Sequence, residues 1–224
     1  SQFQHNNTKM KVIITGATGM VGEGVLIECL ENKQVIEILS LSRKSCGMTH
    51  PKLKECLIPD FMNIEQYAKE LSGYDACFYC AGVSSIGMDE EKFTKITYDT
   101  TLHVAKTLSQ LNPDMVFTFV TGQGTDSTEH GKIMWARVKG KTENALMQLP
   151  FKGQYNFRPG FMKHFKEQKN VKTILKVVSW FFPILFPKQS LTLQEVGRAM
   201  IQVVNKGYTK NVLEIQDIKK LGKV

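Results

Sequence analysis

The stretch Lys11–Gly22, KVIITGATGMVG, constrains this chain more than any other. Val12, Ile13 and Ile14 are consecutive β-branched apolar residues, as in a strand covered on both faces. Gly16, Gly19 and Gly22 follow at three-residue intervals. The first lets the backbone bend sharply, the second lets a diphosphate approach the main chain, and the third lets a helix pack close to the strand. Val21, Val25, Leu26, Cys29 and Leu30 then recur at helical spacing. The spacing therefore predicts a strand, a glycine turn and a helix N-terminus whose free N–H groups attract phosphate. A glycine triplet alone is a weak signal, and its place between strand and helix is what makes it a nucleotide motif.

Strand-like and helix-like stretches alternate onward. Val35–Ser42, Lys54–Ile58, Asp75–Ala81, Met115–Thr121 and Tyr155–Phe157 read as strands. Helical patterns fall at Ile64, Tyr67, Ala68 and Leu71, over Asp89–Leu111 (Phe93, Ile96, Thr100, Val104, Leu108 and Leu111 on one side), and over Ile133–Leu149. The expected fold is an α/β doubly wound parallel sheet, a Rossmann fold, with a small C-terminal extension on the substrate side. Residues 10–224 would form one nucleotide-binding domain. Residues 1–9 are polar and would be a flexible N-terminal end, with no signal peptide.

In such a fold the end of the second strand meets the adenosine ribose. This chain places Ser42, Arg43 and Lys44 there, and no acid. A basic residue at this point accommodates a 2′-phosphate, so NADP is expected ahead of NAD. Ligands bind at the carboxyl ends of the strands, which brings in Asp60 and Phe61 after the third strand and Ala81, Gly82 and Val83 after the fourth. The net charge of +8 suits solubility and an anionic cofactor, and no nucleic-acid motif accompanies it. Five cysteines at irregular spacing give no disulfide framework and no metal site. They point to a reducing, cytoplasmic setting. Cys77 and Cys80 stand three apart on a strand, so their side chains should enter opposite faces of the core.

Lys163–Gln189 departs from the alternation. Lys163, Lys166, Lys169, Lys172 and Lys176 precede or border an apolar helical stripe, and Pro183 should end that helix. Val177, Trp180 and Ile184 fall off the stripe. Three readings apply: a helix packed between the sheet edge and a loop, a wall or lid of a substrate pocket, or a membrane or partner contact. Thr192–Glu195 has the form of a capping box opening a helix, with Val196, Met200, Val203 and Val204 as its buried side. Val212–Ile215 reads as a last strand and Ile218–Leu221 as a closing helical turn.

TGATGMVG, Arg43 after the second strand, VKGKTE around Lys139, FRPG at Phe157–Gly160 and the tail EIQDIKKLGK together resemble the atypical short-chain dehydrogenase/reductases. The branch resembled includes the Tat-interacting-protein-like oxidoreductases, and the likeness runs from Met10 to Val224. It implies NADP binding through Gly16, Thr18, Gly19, Met20, Val21, Gly22, the residues after strands two to four, and Arg158, Pro159 and Gly160. Asp60 would meet the adenine edge. Such reductases pair a tyrosine with a lysine four residues later, and a serine or threonine on the fifth strand polarises the substrate oxygen. Here Lys139 and Thr121 fit those places, but Trp135 stands where the tyrosine would be. An indole N–H donates a hydrogen bond but is no acid near neutral pH. His130, Tyr98, Thr121 or water are the candidate proton donors. The resemblance thus implies an oxidoreductase of a small carbonyl or hydroxyl substrate, or a silent NADP-binding protein that acts through a partner. A monomer or homodimer is expected.

Overall fold

A computed structural model describes residues 8–223. Residues 1–7 and 224, and with them most of the expected N-terminal end, lie outside the described residues. The sheet is built outward from β1 (Met10–Thr15), which is almost wholly buried. Val12 and Ile14 enter one core cluster, with Val25 and Cys29 of α1 (Met20–Glu31). Ile13 enters the other. One strand therefore feeds both faces, as its continuous apolar run requires.

Next come β2 (Val35–Ser42), β3 (Leu53–Leu57), a 3-10 segment Phe61–Tyr67 leading into α2 (Ala68–Leu71), and β4 (Ala76–Tyr79). The long helix over Asp89–Leu111 is present but divided into α3 (Glu90–Thr94), a π turn at Lys95–Asp99 and α4 (Thr100–Leu111). After it stand β5 (Val116–Val120), α5 (Met134–Leu146), β6 (Gly153–Phe157), β7 (Phe161–Lys163), α6 (Thr173–Leu185), β8 (Ser190–Thr192), α7 (Leu193–Lys206), β9 (Val212–Leu213) and α8 (Ile215–Gly222). The main sheet runs β3-β2-β1-β4-β5-β6-β9 with every pairing parallel. Chain order reverses between β1 and β4, which opens a crevice at their carboxyl ends. β7 and β8 form a separate parallel pair, the C-terminal extension expected from the sequence.

Cys77 and Cys80 do enter opposite clusters, and all five cysteines are unpaired. The capping box at α7 is formed: Thr192 Oγ1 accepts from Glu195 N at 3.0 Å, and Glu195 Oε1 accepts from Thr192 N at 2.9 Å. The last helix is longer than the closing turn read from the sequence, because Glu214 and Asp217 cap it reciprocally.

Segment 163–189 corrects the packed-helix reading. α6 buries one residue, Ser179, and leaves most of its apolar side uncovered. Pro183 lies within α6, in its last turn, and the helix continues to Leu185. The loop before α6 is tied to the core instead. Glu23 on α1, itself buried, accepts from the backbone N–H of Lys169 and Asn170 at 2.9 and 3.1 Å. Gln168 Nε2 donates to Met20 O at 2.9 Å.

Candidate nucleotide cleft

The turn after β1 is shaped by contacts that exclude side chains. Gly16 has φ +76°, and a Cβ there would stand 2.6 Å from Ala81 N at the end of β4. A Cβ on Gly22 would stand 2.0 Å from the Gly16 carbonyl oxygen. Gly19 differs, since a Cβ there would meet only Gly16 O, at 3.5 Å, so its missing side chain leaves room on the cleft side. Thr15 Oγ1 pins the two strand ends together by accepting from Cys80 N and Ala81 N, both at 3.1 Å. Gly19 is the N-cap of α1 and supplies no side-chain cap, so the first-turn N–H groups, those of Met20, Val21 and Gly22, need another acceptor. This cradle fits a dinucleotide diphosphate.

A cleft of about 440 Å³ opens over it. Gly16, Thr18 and Gly19 form its floor, and Ser42, Arg43, Asp60 and Phe61 one end. Ala81, Gly82, Val83 and Lys139 also line it. Met20, Val21 and Gly22 lie just behind this surface, in the first turn of α1. Arg43 is exposed, whereas Ser42 is buried and its hydroxyl donates to Lys44 O. Asp60 caps the 3-10 segment by accepting from Met62 N at 2.9 Å.

Five other expected positions, Lys44, Thr121, Arg158, Pro159 and Gly160, lie away from the cleft lining, and Thr121 and Arg158 do so for one shared reason. Glu143 on α5 is fully buried and gathers the polar groups around it. Thr121 Oγ1 donates to its Oε2 at 2.7 Å, and Arg158 donates from Nε to Oε2 at 3.1 Å and from Nη2 to Oε1 at 2.6 Å. Arg158 also reaches Glu214 at 3.1 Å and Ser127 Oγ at 2.7 Å. The structure thus turns the Thr121 hydroxyl into the core rather than toward a substrate, and gives Arg158 to an ion-pair network. Pro159 offers its carbonyl to Gln123 N at 3.0 Å, and Gly160 packs against Ile215 and Gln123. Lys44 likewise lies outside the lining, with an exposed side chain.

Lys139 and Trp135 stand one turn apart on α5, with Lys139 Nζ 5.6 Å from the indole centroid. Burial lowers the Lys139 pKa, and the nearby Glu143 carboxylate opposes that shift. The Trp135 ring rests on the loop after β5, where Cβ atoms on Gly122 and Gly124 would approach it at 3.9 Å. Of the other candidate donors, Tyr98 lies under the Lys141 ammonium, 4.4 Å from ring centroid to Nζ. His130 is exposed in the loop, and neither residue lines the cleft.

Sequence reasoning missed the far wall, formed by Ile96, Thr97, Thr100 and Thr101 from the π turn and the start of α4, with Tyr79 and Phe119 beneath them. A π turn inserts one residue into the helical repeat, so Ile96 and Thr100, read from their spacing as sharing one side with Phe93 and Val104, face the cleft. The Tyr79 phenol is pushed up to about 12 by burial, against a hydrogen bond with Thr101 that lowers it. The Cys80 thiol is also raised to about 12 by burial. Among the described residues, the lining therefore holds no histidine and no phenol or thiol that ionises near neutral pH.

Known proteins of similar sequence and shape agree with this architecture. Protein HTATIP2 of Rattus norvegicus is 24% identical over 153 residues, which cover 67% of this chain and 62% of the rat protein. Protein FMP52, mitochondrial, of Meyerozyma guilliermondii is 24% identical over 86% of this chain and 84% of its own length. Among solved structures, the ADP-L-glycero-D-manno-heptose-6-epimerase of Helicobacter pylori superposes with a TM-score of 0.70 at 14% identity, covering 97% of this chain and 83% of that one. These matches bear out the resemblance to atypical short-chain dehydrogenase/reductases of the HTATIP2 type and the Rossmann fold. The sequence profile described as the NAD dependent epimerase/dehydratase family matches residues 12–132, more than half of the 224, and the chain belongs to that family.

Proposed function

We propose that this protein is an oxidoreductase that binds a nicotinamide dinucleotide, prefers NADP, and acts on a small carbonyl or hydroxyl substrate. The main support is the convergence of the glycine turn, Arg43 and Lys139 on one cleft. When bound, the nicotinamide supplies or accepts a hydride. The first-turn amides of α1 and Gly19 hold the diphosphate. Arg43, at the end of β2 with no acid beside it, takes the 2′-phosphate as a charge-assisted partner. Asp60 and Phe61 border the adenine end. Lys139 donates to the nicotinamide ribose, and its depressed pKa makes its ammonium a better proton source than an ordinary lysine. Trp135 contributes a hydrogen-bond donor and an apolar wall but no transferable proton. The substrate oxygen therefore takes its proton from Lys139 or from water. The five unpaired cysteines support a reducing compartment.

Trp135 favours a second reading, in which nucleotide occupancy sets the shape of a partner-binding protein without chemistry. A screen of small aldehydes and ketones, followed by NADPH oxidation at 340 nm, separates the two. Turnover by the wild type, reduced at least about tenfold in Lys139→Met, supports the enzyme. Turnover that appears only in Trp135→Tyr supports the silent protein.

A further inference from the structure

α6 presents six apolar side chains to solvent. Trp180 is 81% exposed and Ile184 77%. Ile174, Val177, Phe181 and Leu185 complete the row. At 100° per residue these six fall within one continuous stripe. The opposite side of the helix is seated, with Phe182 packed on Phe161 of β7 at 4.5 Å between ring centroids and on Phe186 at 4.9 Å. The stripe is thus held outward by a fixed inner face.

Its surroundings are basic. Segment 163–189 contains six lysines, Lys163, Lys166, Lys169, Lys172, Lys176 and Lys188, against one acid, Glu167. All six lysines are exposed, and none makes an ion pair among the described residues. Lys172 and Lys176 stand one helical turn apart, and Lys176 stands one turn before Trp180, so they rim the stripe. An apolar stripe with an exposed tryptophan at its margin beside a lysine rim is the form that lies in the interface of an anionic bilayer. α6 has 13 residues, and no helix among the described residues is long and apolar enough to cross a membrane. A second copy of the chain fits the patch less well, because a two-fold contact would bring lysine rim against lysine rim.

We propose that α6 docks this protein on the surface of anionic membranes, lying flat with Trp180 and Ile184 inserted and the lysines on the headgroups. The test is co-sedimentation of the full chain with vesicles of phosphatidylcholine alone or mixed with phosphatidylserine. The wild type should partition onto the anionic vesicles and be released by salt. Trp180→Asp/Ile184→Asp should lower that partition at least about tenfold, with its far-ultraviolet dichroism and thermal unfolding unchanged. Should that variant fail to fold, Trp135→Phe leaves Trp180 as the remaining tryptophan. Its emission should shift to the blue on anionic vesicles and be quenched by brominated lipid. No partition of the wild type, undiminished partition of the double variant, or an unshifted Trp180 would overturn the proposal. So would a lipid-independent dimer that the double variant dissociates, since a second copy would then cover the stripe.

Discussion

Replacing Glu143 by alanine should strongly destabilise this protein. The wild-type carboxylate accepts from Thr121 Oγ1 at 2.7 Å and from Arg158 Nε and Nη2 at 3.1 and 2.6 Å. Its side chain is 1% exposed and that of Arg158 10%. Removing one member of a buried ion pair leaves the other charged and poorly solvated, at about 3–5 kcal/mol. Arg158 would keep Ser127 and Glu214, but the Glu214 side chain is 51% exposed, so its screened attraction offsets little. The lower half of that range, about 3–4 kcal/mol, corresponds to a fall in Tm of roughly 6–16 °C for a chain of this size. Urea unfolding gives the free energy, and calorimetry the temperature. The double variant Glu143→Leu/Arg158→Met should regain much of the loss, because no unpaired charge remains. A cost below about 1 kcal/mol for Glu143→Ala, or additivity with Arg158→Met, would show that the two charges are not a coupled buried pair. Arg158 would then be free to serve the cleft.

Arg43→Ala should weaken NADPH about 10- to 100-fold in a calorimetric titration and leave NADH nearly unchanged, as expected for one charge-assisted hydrogen bond of about 1.5–3 kcal/mol. Gly22→Ala cannot be accommodated, since its Cβ would meet the Gly16 carbonyl at 2.0 Å. The variant should be insoluble or lack nucleotide binding, as read by expression and titration. Because burial lowers the Lys139 pKa, its positive charge is lost below the ordinary lysine value. NADPH affinity should therefore fall as pH rises through that lowered pKa, and Lys139→Arg should flatten the profile. Thr192→Ala removes the α7 cap and should cost about 1 kcal/mol in urea unfolding.

The architecture was legible where one residue type has one physical use. The β-branched run Val12–Ile14 suits a strand covered on both sides, and Gly16 and Gly22 stand where a Cβ would strike backbone. Arg43 was legible because it follows directly on β2. The partners of Thr121 and Arg158 were not, because Glu143 and Glu214 come from distant α5 and α8 and no local pattern links them. The far wall was hidden by the π turn, which moves Ile96 and Thr100 off the stripe their spacing implied. Segment 163–189 showed its composition but not its packing. Apolar residues on several sides of a helix suggest burial, yet only Ser179 of α6 is buried.

Calorimetric titration of the wild-type chain with NADPH and NADH decides whether the cleft between β1 and β4 is an NADP site. One nucleotide should bind per chain, with NADPH held at least about tenfold more tightly than NADH through the 2′-phosphate contact with Arg43. Equal affinities would contradict the role of Arg43, and no binding of either nucleotide would contradict the cleft itself.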